Sequence, residues 1–374
     1  MGAPAVTYGG GKFFVVWPDL RVGGIYGTRL KPDGSVLDPA GIRLNPGTVV
    51  GRAPAVAYDG KNFLVVWESI DGISGIRVKP DGSVLGPLLT IISSGEVDAP
   101  AIACSDKKLC LITYTVDGTD GTTIGFRRVT REGEILRPPV GTSLGMGTTL
   151  ADESSIAWDG KNFLVVWSDT IGGAATPDIY GARVSLDGRI VDDPDGLPIS
   201  TAAGAQRSPD VVWTGRRFLT VWEDSREGPF GIFGTRVRKD VTLDDPAGFR
   251  ISPTTVPASS VDPAVAHHNS KSLVVWRGGD GILGARVDED GEVLDPDAFV
   301  IALESDEQFL PDVALGSNRF LTVYGHGGTS EPPFELRAKV VHHDTRVEDF
   351  VDITRAFEAP TASRSGALVP GSQR

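Results

Sequence analysis

A fifteen-residue pattern recurs along the whole chain and constrains its fold more than any other feature. The clearest copy is Ala-Pro-Ala-Val-Ala-Tyr-Asp-Gly-Lys-Asn-Phe-Leu-Val-Val-Trp at 53–67, and looser copies lie at 3–17, 100–114, 154–167, 209–222, 263–276 and 311–324. Each copy ends in an aromatic residue, and these residues are 47 to 55 positions apart: Trp17, Trp67, Tyr114, Trp167, Trp222, Trp276 and Tyr324. Seven repeats therefore account for nearly all of the 374 residues.

Each repeat is predicted to form four short β-strands. The apolar run at 13–17 is apolar on both alternating faces, which is typical of a strand buried between two packed sheets. Asp-Gly pairs between apolar runs predict tight hairpins, and they recur at 33–34, 81–82, 187–188 and 290–291. Four antiparallel strands, repeated seven times, predict an all-β fold: a seven-bladed β-propeller.

The repeat also predicts the domain organisation. We expect a single propeller over 1–360, with blades at approximately 3–52, 53–98, 99–152, 153–207, 208–261, 262–309 and 310–357, and a disordered tail at 361–374. Because blade 1 opens with its own first strand, we expect blade 7 to close the ring by packing against blade 1.

Composition excludes several classes of protein and partner. The 47 glycines and 26 prolines are incompatible with a helical bundle, and 40% hydrophobic residues argue against disorder. A net charge of −13 disfavours nucleic acid, which needs clustered Lys and Arg. No apolar run is long enough to span a bilayer, so we expect no membrane insertion. We also expect the protein to be a monomer.

The repeat resembles a known family. Pro-Ala-Val-Ala-Tyr-Asp-Gly-x-x-Phe-Leu-Val-Val-Trp, followed by Ile-Tyr-Gly-Thr-Arg at 25–29 and Asp-Gly-Ser-Val-Leu-Asp-Pro at 33–39, is similar to the tandem propeller repeats of secreted and surface proteins of bacteria. The resemblance implies a secreted, cell-surface or periplasmic protein. It implies no particular activity, because those repeats share none and a fold alone does not transmit function.

The loops that join strand two to strand three vary most between repeats, and we expect the ligand site on the face that carries them, the rim. The candidate ligand-binding residues there are Asp19, Arg21, Arg52, Glu68, Asp169, Arg207, Glu223, Asp224, Arg226 and His326. One interpretation is a funnel for sugar or peptide contacts. The other is a set of ion pairs that orders the loops, as the Asp-x-Arg spacing at 19–21 and 224–226 suggests.

Three functions are compatible with this pattern. The first is a binding propeller that recognises a carbohydrate or protein partner through the rim. The second is a hydrolase or lyase that uses Asp169, Glu223 or Asp224. Arg52 and Arg207 resemble the carboxylate-binding arginines of sialidases, but the sequence shows neither the Ser-x-Asp-x-Gly-x-x-Trp box nor an evident Tyr–Glu pair. The third is a spacer within a larger surface protein.

A basic residue recurs in the third strand of every repeat. The series is Arg29, Arg77, Arg127, Arg183, Arg236, Arg286 and Lys339, and a glycine stands two residues earlier in the first six. Seven equivalent cations could form a ring that binds polyanions, but the negative net charge of the protein disfavours this and favours structural contacts within the blades. We therefore expect them to stack on the tryptophan or pair with an aspartate.

The remaining signals lie on the hairpin face, opposite the rim. Cys104 and Cys110 flank a hairpin and are spaced for a disulfide, with the reduced form as the alternative. Histidines occur as two adjacent pairs, at 267–268 in a first hairpin and at 342–343 in a second hairpin. Because we expect first and second hairpins to lie at different distances from the axis, we do not expect the two pairs to converge on a metal ion. Acidic turns such as 288–292 lack a full calcium-ligand series, so we expect no cofactor, with calcium as the alternative.

Overall fold

The chain folds into seven antiparallel sheets arranged as a seven-bladed β-propeller. The computed structural model describes residues 3–19, 23–45, 51–94, 96–119, 121–137, 143–149, 151–171, 176–254, 259–279, 281–304, 306–327, 335–349 and 351–354. Arg21 and the expected tail at 361–374 lie outside these ranges. No helix within them is long and apolar enough to cross a membrane.

Every blade is a meander of four strands, taken here from the inside of the ring outwards. The first strands are β1 (Ala5–Gly9), β5 (Gly51–Tyr58), β9 (Val97–Cys104), β14 (Asp152–Trp158), β18 (Gln206–Trp213), β22 (Ser260–His268) and β26 (Gln308–Leu315). The second strands are β2 (Lys12–Pro18), β6 (Phe63–Ser69), β10 (Leu109–Asp117), β15 (Asn162–Asp169), β19 (Phe218–Asp224), β23 (Lys271–Gly278) and β27 (Phe320–His326).

The outer half of each blade is less regular. The third strands are β3 (Ile25–Leu30), β7 (Gly72–Val78), β11 (Thr122–Thr130), β16 (Asp178–Ser185), β20 (Gly231–Val237), β24 (Gly281–Asp288) and β28 (Glu335–Val341). The fourth strands are β4 (Ile42–Arg43), β8 (Val84–Ser93), β12 (Ile135–Leu136), β17 (Leu197–Ser200), β21 (Phe249–Arg250), β25 (Phe299–Ala302) and β29 (Val351–Asp352). In blade 3 a further strand, β13 (Leu144–Thr149), also pairs with β11.

Apolar side chains fill the space between neighbouring blades. The second strands are buried on both faces, as predicted, and seven hydrophobic clusters each join two consecutive blades. One of them joins blade 7 to blade 1, where Phe13 and Val15 pack with Leu321 and Val323. We call this closing interface the seam. The ring closes there by packing, and none of the described strands is shared between the two blades.

Arginines also connect consecutive blades. In an arginine bridge, the third-strand arginine donates through Nη1 to a backbone carbonyl in the second hairpin of the next blade. The six bridges are Arg29 to Pro80, Arg77 to Arg131, Arg128 to Leu186, Arg183 to Lys239, Arg236 to Glu289 and Arg286 to His343, at 2.6–3.1 Å. Four of these arginines pair with an aspartate nine residues later, which confirms the expected structural role: Asp38, Asp192, Asp245 and Asp295.

Two members of the predicted arginine series are wrong by one position. Leu111 lies opposite Arg128, not Arg127, so the pairing in blade 3 is shifted by one residue from the glycine spacing. In blade 7 the equivalent position is Val340, opposite Leu321, and not Lys339. At this position the described residues of the seam therefore provide no arginine bridge. A Cβ added to Gly34 of blade 1 would instead lie 3.2 Å from Cγ2 of Val340.

On the hairpin face, Cys104 and Cys110 lie directly opposite each other and form a disulfide, with 3.9 Å between their Cα atoms. The histidines differ from expectation. His268 of blade 6 and His343 of blade 7 stack with ring centroids 4.2 Å apart. They meet because the second hairpin of one blade lies against the first hairpin of the blade before it, as Pro80 also lies against Gly10.

Candidate binding site at the inner rim

Six of the seven first strands, all except β1, carry a β-bulge near their rim ends. Their ladders shift register there, and the bulged residue has a positive φ of 41–55° in six blades: Ala53, Ala99, Glu153, Ser208, Asp262 and Leu310. Bulges redirect side chains locally. The bulged residues, the one or two residues before them, the second-strand residues opposite and the loops that touch them form a surface that we call the inner rim.

An ordered guanidinium dominates the inner rim of blade 5. Arg207, two residues before Pro209, lies opposite Glu223 in the ladder and donates from Nε to its Oε2 at 2.7 Å. The guanidinium also covers the ring of Phe230, with 4.2 Å from Cζ to the ring centroid. Glu223 is 2% exposed, whereas the Arg207 side chain is 47% exposed. Within the described ranges, Nη1 and Nη2 of Arg207 have no hydrogen-bond partner.

Acidic side chains surround this guanidinium. The second carboxylate oxygen of Glu223 accepts the backbone N–H of Asp262, the bulged residue of blade 6, at 2.8 Å. Burial, and secondly the negative charge of Glu223, raise the pKa of Asp262 above its usual value. On the other side, Glu153 of blade 4 accepts hydrogen bonds from the N–H and the hydroxyl of Ser208 at 2.9 and 2.8 Å.

The polar surface continues into blades 6 and 7 through a second arginine. Arg277 lies with Nε 3.4 Å from Oδ2 of Asp262 and with Nη1 3.0 Å from Oε1 of Glu307. Donors and acceptors thus alternate along the inner rim from Glu153 to Glu307. Arg207, Glu223 and Arg277 are placed by strands, Glu153 and Asp262 lie at bulges, and Glu307 immediately precedes β26.

The Asp-x-Arg motif of blade 5 belongs to the loop rather than to this surface. Asp224 is fully buried, accepts the indole N–H of Trp222 at 2.8 Å and pairs with Arg226 at 2.6 Å. Arg226 also donates to the backbone oxygen of Ala247 and to the hydroxyl of Ser200. These contacts match the loop-ordering interpretation.

The equivalent aspartates in two other blades are buried as well. Asp169 is 0% exposed and accepts from the indole of Trp167 at 3.2 Å, and Asp19 is 5% exposed. Arg21, its proposed partner, lies outside the described residues. The structure brings none of these aspartates to the surface beside Arg207.

In blade 2 the predicted residues Arg52 and Glu68 lie directly opposite each other in the ladder. They are the positional equivalents of Arg207 and Glu223, and Arg52 is exposed. Blades 2 and 5 are three blades apart, so these two arginines lie on opposite sides of the ring.

His326 lies in a separate buried cluster in blade 7. It is 6% exposed, and its ring nitrogens lie 3.2 Å from Glu304 and 3.6 Å from Glu335. Glu304 also accepts the hydroxyl of Tyr324 at 2.9 Å, a Tyr–Glu pair that the sequence had not revealed. Tyr324 is fully buried and takes the place of the repeat tryptophan, so its hydroxyl is inaccessible to a ligand.

The inner rim can recognise an anion or a set of hydroxyl groups. Arg207 presents two guanidinium nitrogens, and both oxygens of Glu223 are already used as acceptors. Among the described residues, no group of three or more His, Cys, Asp or Glu side chains is arranged to hold a metal ion. The chemistry that the surface offers is therefore hydrogen bonding and charge pairing.

Sequence reasoning found Arg207 and Glu223 but missed Asp262, Arg277 and Glu307. Asp262 stands immediately before Pro263, at the position of the repeat that forms the bulge. A charged residue at this position could have indicated the site. Arg277 directly follows the repeat tryptophan, as Glu223 does in blade 5. Contact between the two blades could not be read from one sequence.

Comparison with known proteins shows the fold alone. No family model and no curated protein matches the chain. The periplasmic gluconolactonase PpgL of Pseudomonas aeruginosa matches with a TM-score of 0.60 at 15% identity, over 91% of this chain and 95% of that one. The polysaccharide lyase Uly1 matches with a TM-score of 0.58 at 9% identity, over 91% and 90%. The chain also spans 62% of TolB from Acinetobacter baumannii, with a TM-score of 0.44 at 15% identity. At these identities, the chain is a propeller with the overall arrangement of the first two proteins.

Proposed function

We propose that this protein is an exported binding propeller whose inner rim recognises a carbohydrate that carries a carboxylate. The observation that carries the proposal is Arg207, which is held by Glu223 and Phe230 while two of its nitrogens remain open. A guanidinium fixed in advance loses little side-chain entropy on binding, and its paired N–H groups match a carboxylate.

The surroundings of Arg207 favour a sugar over a simple anion. Acceptors on Glu153, Asp262 and Glu307 and donors on Arg277 lie along the same surface. Sugars present many hydroxyl groups that need both kinds of partner. The Cys104–Cys110 disulfide supports an oxidising compartment outside the cytosol, in agreement with the resemblance to secreted and surface repeats.

Thermal unfolding with matched probes tests this proposal. The probes are oligogalacturonate, its fully methyl-esterified form and an aspartate peptide of equal charge. A ligand that binds only the native state raises the unfolding temperature. We expect a shift with oligogalacturonate alone. The Arg207→Gln variant is expected to bind it at least about ten-fold more weakly, which corresponds to about 1.4 kcal/mol.

Arg216→Gln is the matched control, since Arg216 is exposed in the first hairpin of blade 5, on the opposite face. It should bind as the unmodified protein does. Equal shifts with the esterified probe would show that the carboxylate is not recognised. A shift with the peptide alone would replace the carbohydrate with a protein partner, and no shift with any probe would favour the spacer.

A hydrolase or lyase is the second candidate. It is favoured by Asp262, whose raised pKa suits a proton donor, next to Glu223, which is ion-paired with Arg207. If the protein cleaves the oligogalacturonate probe, new reducing ends will accumulate. Asp262→Asn should then abolish turnover while the thermal shift persists.

A further inference from the structure

The outer strand of blade 2 differs from all the other fourth strands. β8 has ten residues, whereas the other fourth strands have two or four. It pairs with β7 from Val84 to Ser93. Among the described strands β8 has no second partner, so its outer edge leaves backbone N–H and C=O groups unpaired.

This edge lacks two of the usual protections against pairing with another strand, because it is neither short nor charged. Proteins commonly protect an edge by keeping it short or by placing charges on it. β8 contains no charged residue, and Val84 and Leu88 are 41% and 39% exposed. Gly86 and Pro87 interrupt its first half, and the pairing with β7 also shifts register between Thr90 and Ile92. The second half, 88–93, is uncharged and mostly apolar.

A groove of 510 Å³ lies beside this half of the strand, between blades 2 and 3. Its lining includes the apolar side chains of Ile91 and Ile135 and the backbone of 90–93. Two arginines complete the lining. Arg137 has no ion pair or side-chain hydrogen bond within the described ranges, and Arg127 donates from Nη1 to the backbone oxygen of Phe126 at 2.9 Å.

We propose that 88–93 of β8 and this groove bind an extended acidic segment of a partner protein, which adds to blade 2 as a fifth strand. Backbone pairing provides the affinity in such a complex, and side chains that alternate along the added strand provide the specificity. Acidic side chains would reach Arg127 and Arg137, two cations on a chain whose net charge is −13.

The same charges disfavour a second copy of this chain at the edge. In a two-fold pairing of 88–93 with itself, Arg127 and Arg137 of both copies would face one another across the new sheet. Like charges so placed are destabilising. An acidic strand from another protein meets no such repulsion.

Fluorescence anisotropy with two labelled octapeptides tests the proposal. One alternates valine with glutamate, and the other has lysine in place of glutamate. We expect the glutamate peptide to bind and the lysine peptide to fail, with affinity falling as salt is raised. Arg127→Gln/Arg137→Gln should weaken binding at least ten-fold. Leu88→Glu, at an exposed side chain, places a negative charge beside the added strand and should weaken binding of the acidic peptide without unfolding the blade.

Arg189→Gln/Arg216→Gln removes the same charge from exposed positions elsewhere and should bind normally. Arg207→Gln should also bind normally, which separates this site from the inner rim. Equal binding of both peptides, binding insensitive to the groove arginines, or a dimer in light scattering that Leu88→Glu dissociates would overturn the proposal. Circular dichroism of each variant shows whether a loss of binding reflects a loss of fold.

Discussion

At the scale of single residues, two buried carboxylates sit where the other first strands carry Ala or Ser. Asp210 accepts the N–H of Val265 in the next blade and the hydroxyl of Ser155 in the preceding one. Asp312 accepts the N–H of Val6 across the seam at 2.7 Å. In blade 6 the position equivalent to Ser155 is Ala264, so Asp312 has no counterpart to the hydroxyl that donates to Asp210.

Asp312 is expected to make stability depend on pH. Burial raises its pKa to about 7, from 3.8 in the unfolded chain. Between these values the folded state keeps a proton that the unfolded state releases, so the free energy of unfolding falls as pH rises from about 4 to about 7. The loss is up to about 4 kcal/mol, since one pKa unit corresponds to about 1.4 kcal/mol.

Urea unfolding at pH 4, 5, 6 and 7 measures the slope of the free energy of unfolding against pH. Asp312→Asn should flatten it, because an amide still accepts one N–H without titrating. Asp290→Asn, at a side chain 90% exposed, should leave it unchanged. A slope that persists in Asp312→Asn would assign the pH dependence to other groups.

At the scale of elements, the pairing of strands decides which side chains connect the blades. In blade 3 the guanidinium of Arg128 crosses to the carbonyl of Leu186, while Arg127 lies in the groove beside β8. Two adjacent arginines therefore have different roles because they point to opposite faces of one strand.

This difference predicts unequal effects of the same substitution. Arg128→Gln should lower the free energy of unfolding by about 1.5–3 kcal/mol, the usual range for a hydrogen bond made by a charged group. Arg127→Gln should change it by less than about 0.5 kcal/mol. Denaturant titrations of the two variants compare them directly. Equal losses would mean that the register described for β10 and β11 is not the one in solution.

The positions of strands and hairpins were better predicted from the sequence than the register in which the strands pair. The repeat ending in Trp67 and the Asp-Gly turn at 59–60 predicted strands and hairpins, because apolar alternation and turn chemistry are local. In blade 3 the bridging residue is Arg128 because the register between β10 and β11 is shifted by one residue. The spacing of the glycines does not determine that register. Asp262 approaches Glu223 across a blade interface, 39 positions along the chain, and no local pattern indicates that contact.

At the scale of the whole molecule, the seven interfaces are not equivalent. Six carry an arginine bridge in addition to their apolar cluster, and the seam has Val340 against Gly34 instead. We expect the seam to be the first interface to open in native-state fluctuations, since local stability follows the contacts that opening must break.

Hydrogen exchange read by mass spectrometry tests this expectation. Peptides that cover β1 and β28 should exchange before the equivalent strands of blades 4 and 5. Protection at the seam equal to that at the bridged interfaces would contradict the inference. The Arg236→Gln variant provides a reference, because it removes one bridge from an otherwise intact interface.

The seam also has a mechanical consequence. The first and last strands of the ring, β1 and β29, belong to the two blades that meet there, so a pulling force applied to the two ends of the ring acts directly across the seam. Such a force would separate blade 7 from blade 1 before it loaded any arginine bridge. Blades 1 to 7 would remain stacked through the six bridged interfaces, and the closed ring would become an open arc. A propeller anchored at both ends would thus yield first at one defined interface and lengthen while most of its sheets stay folded.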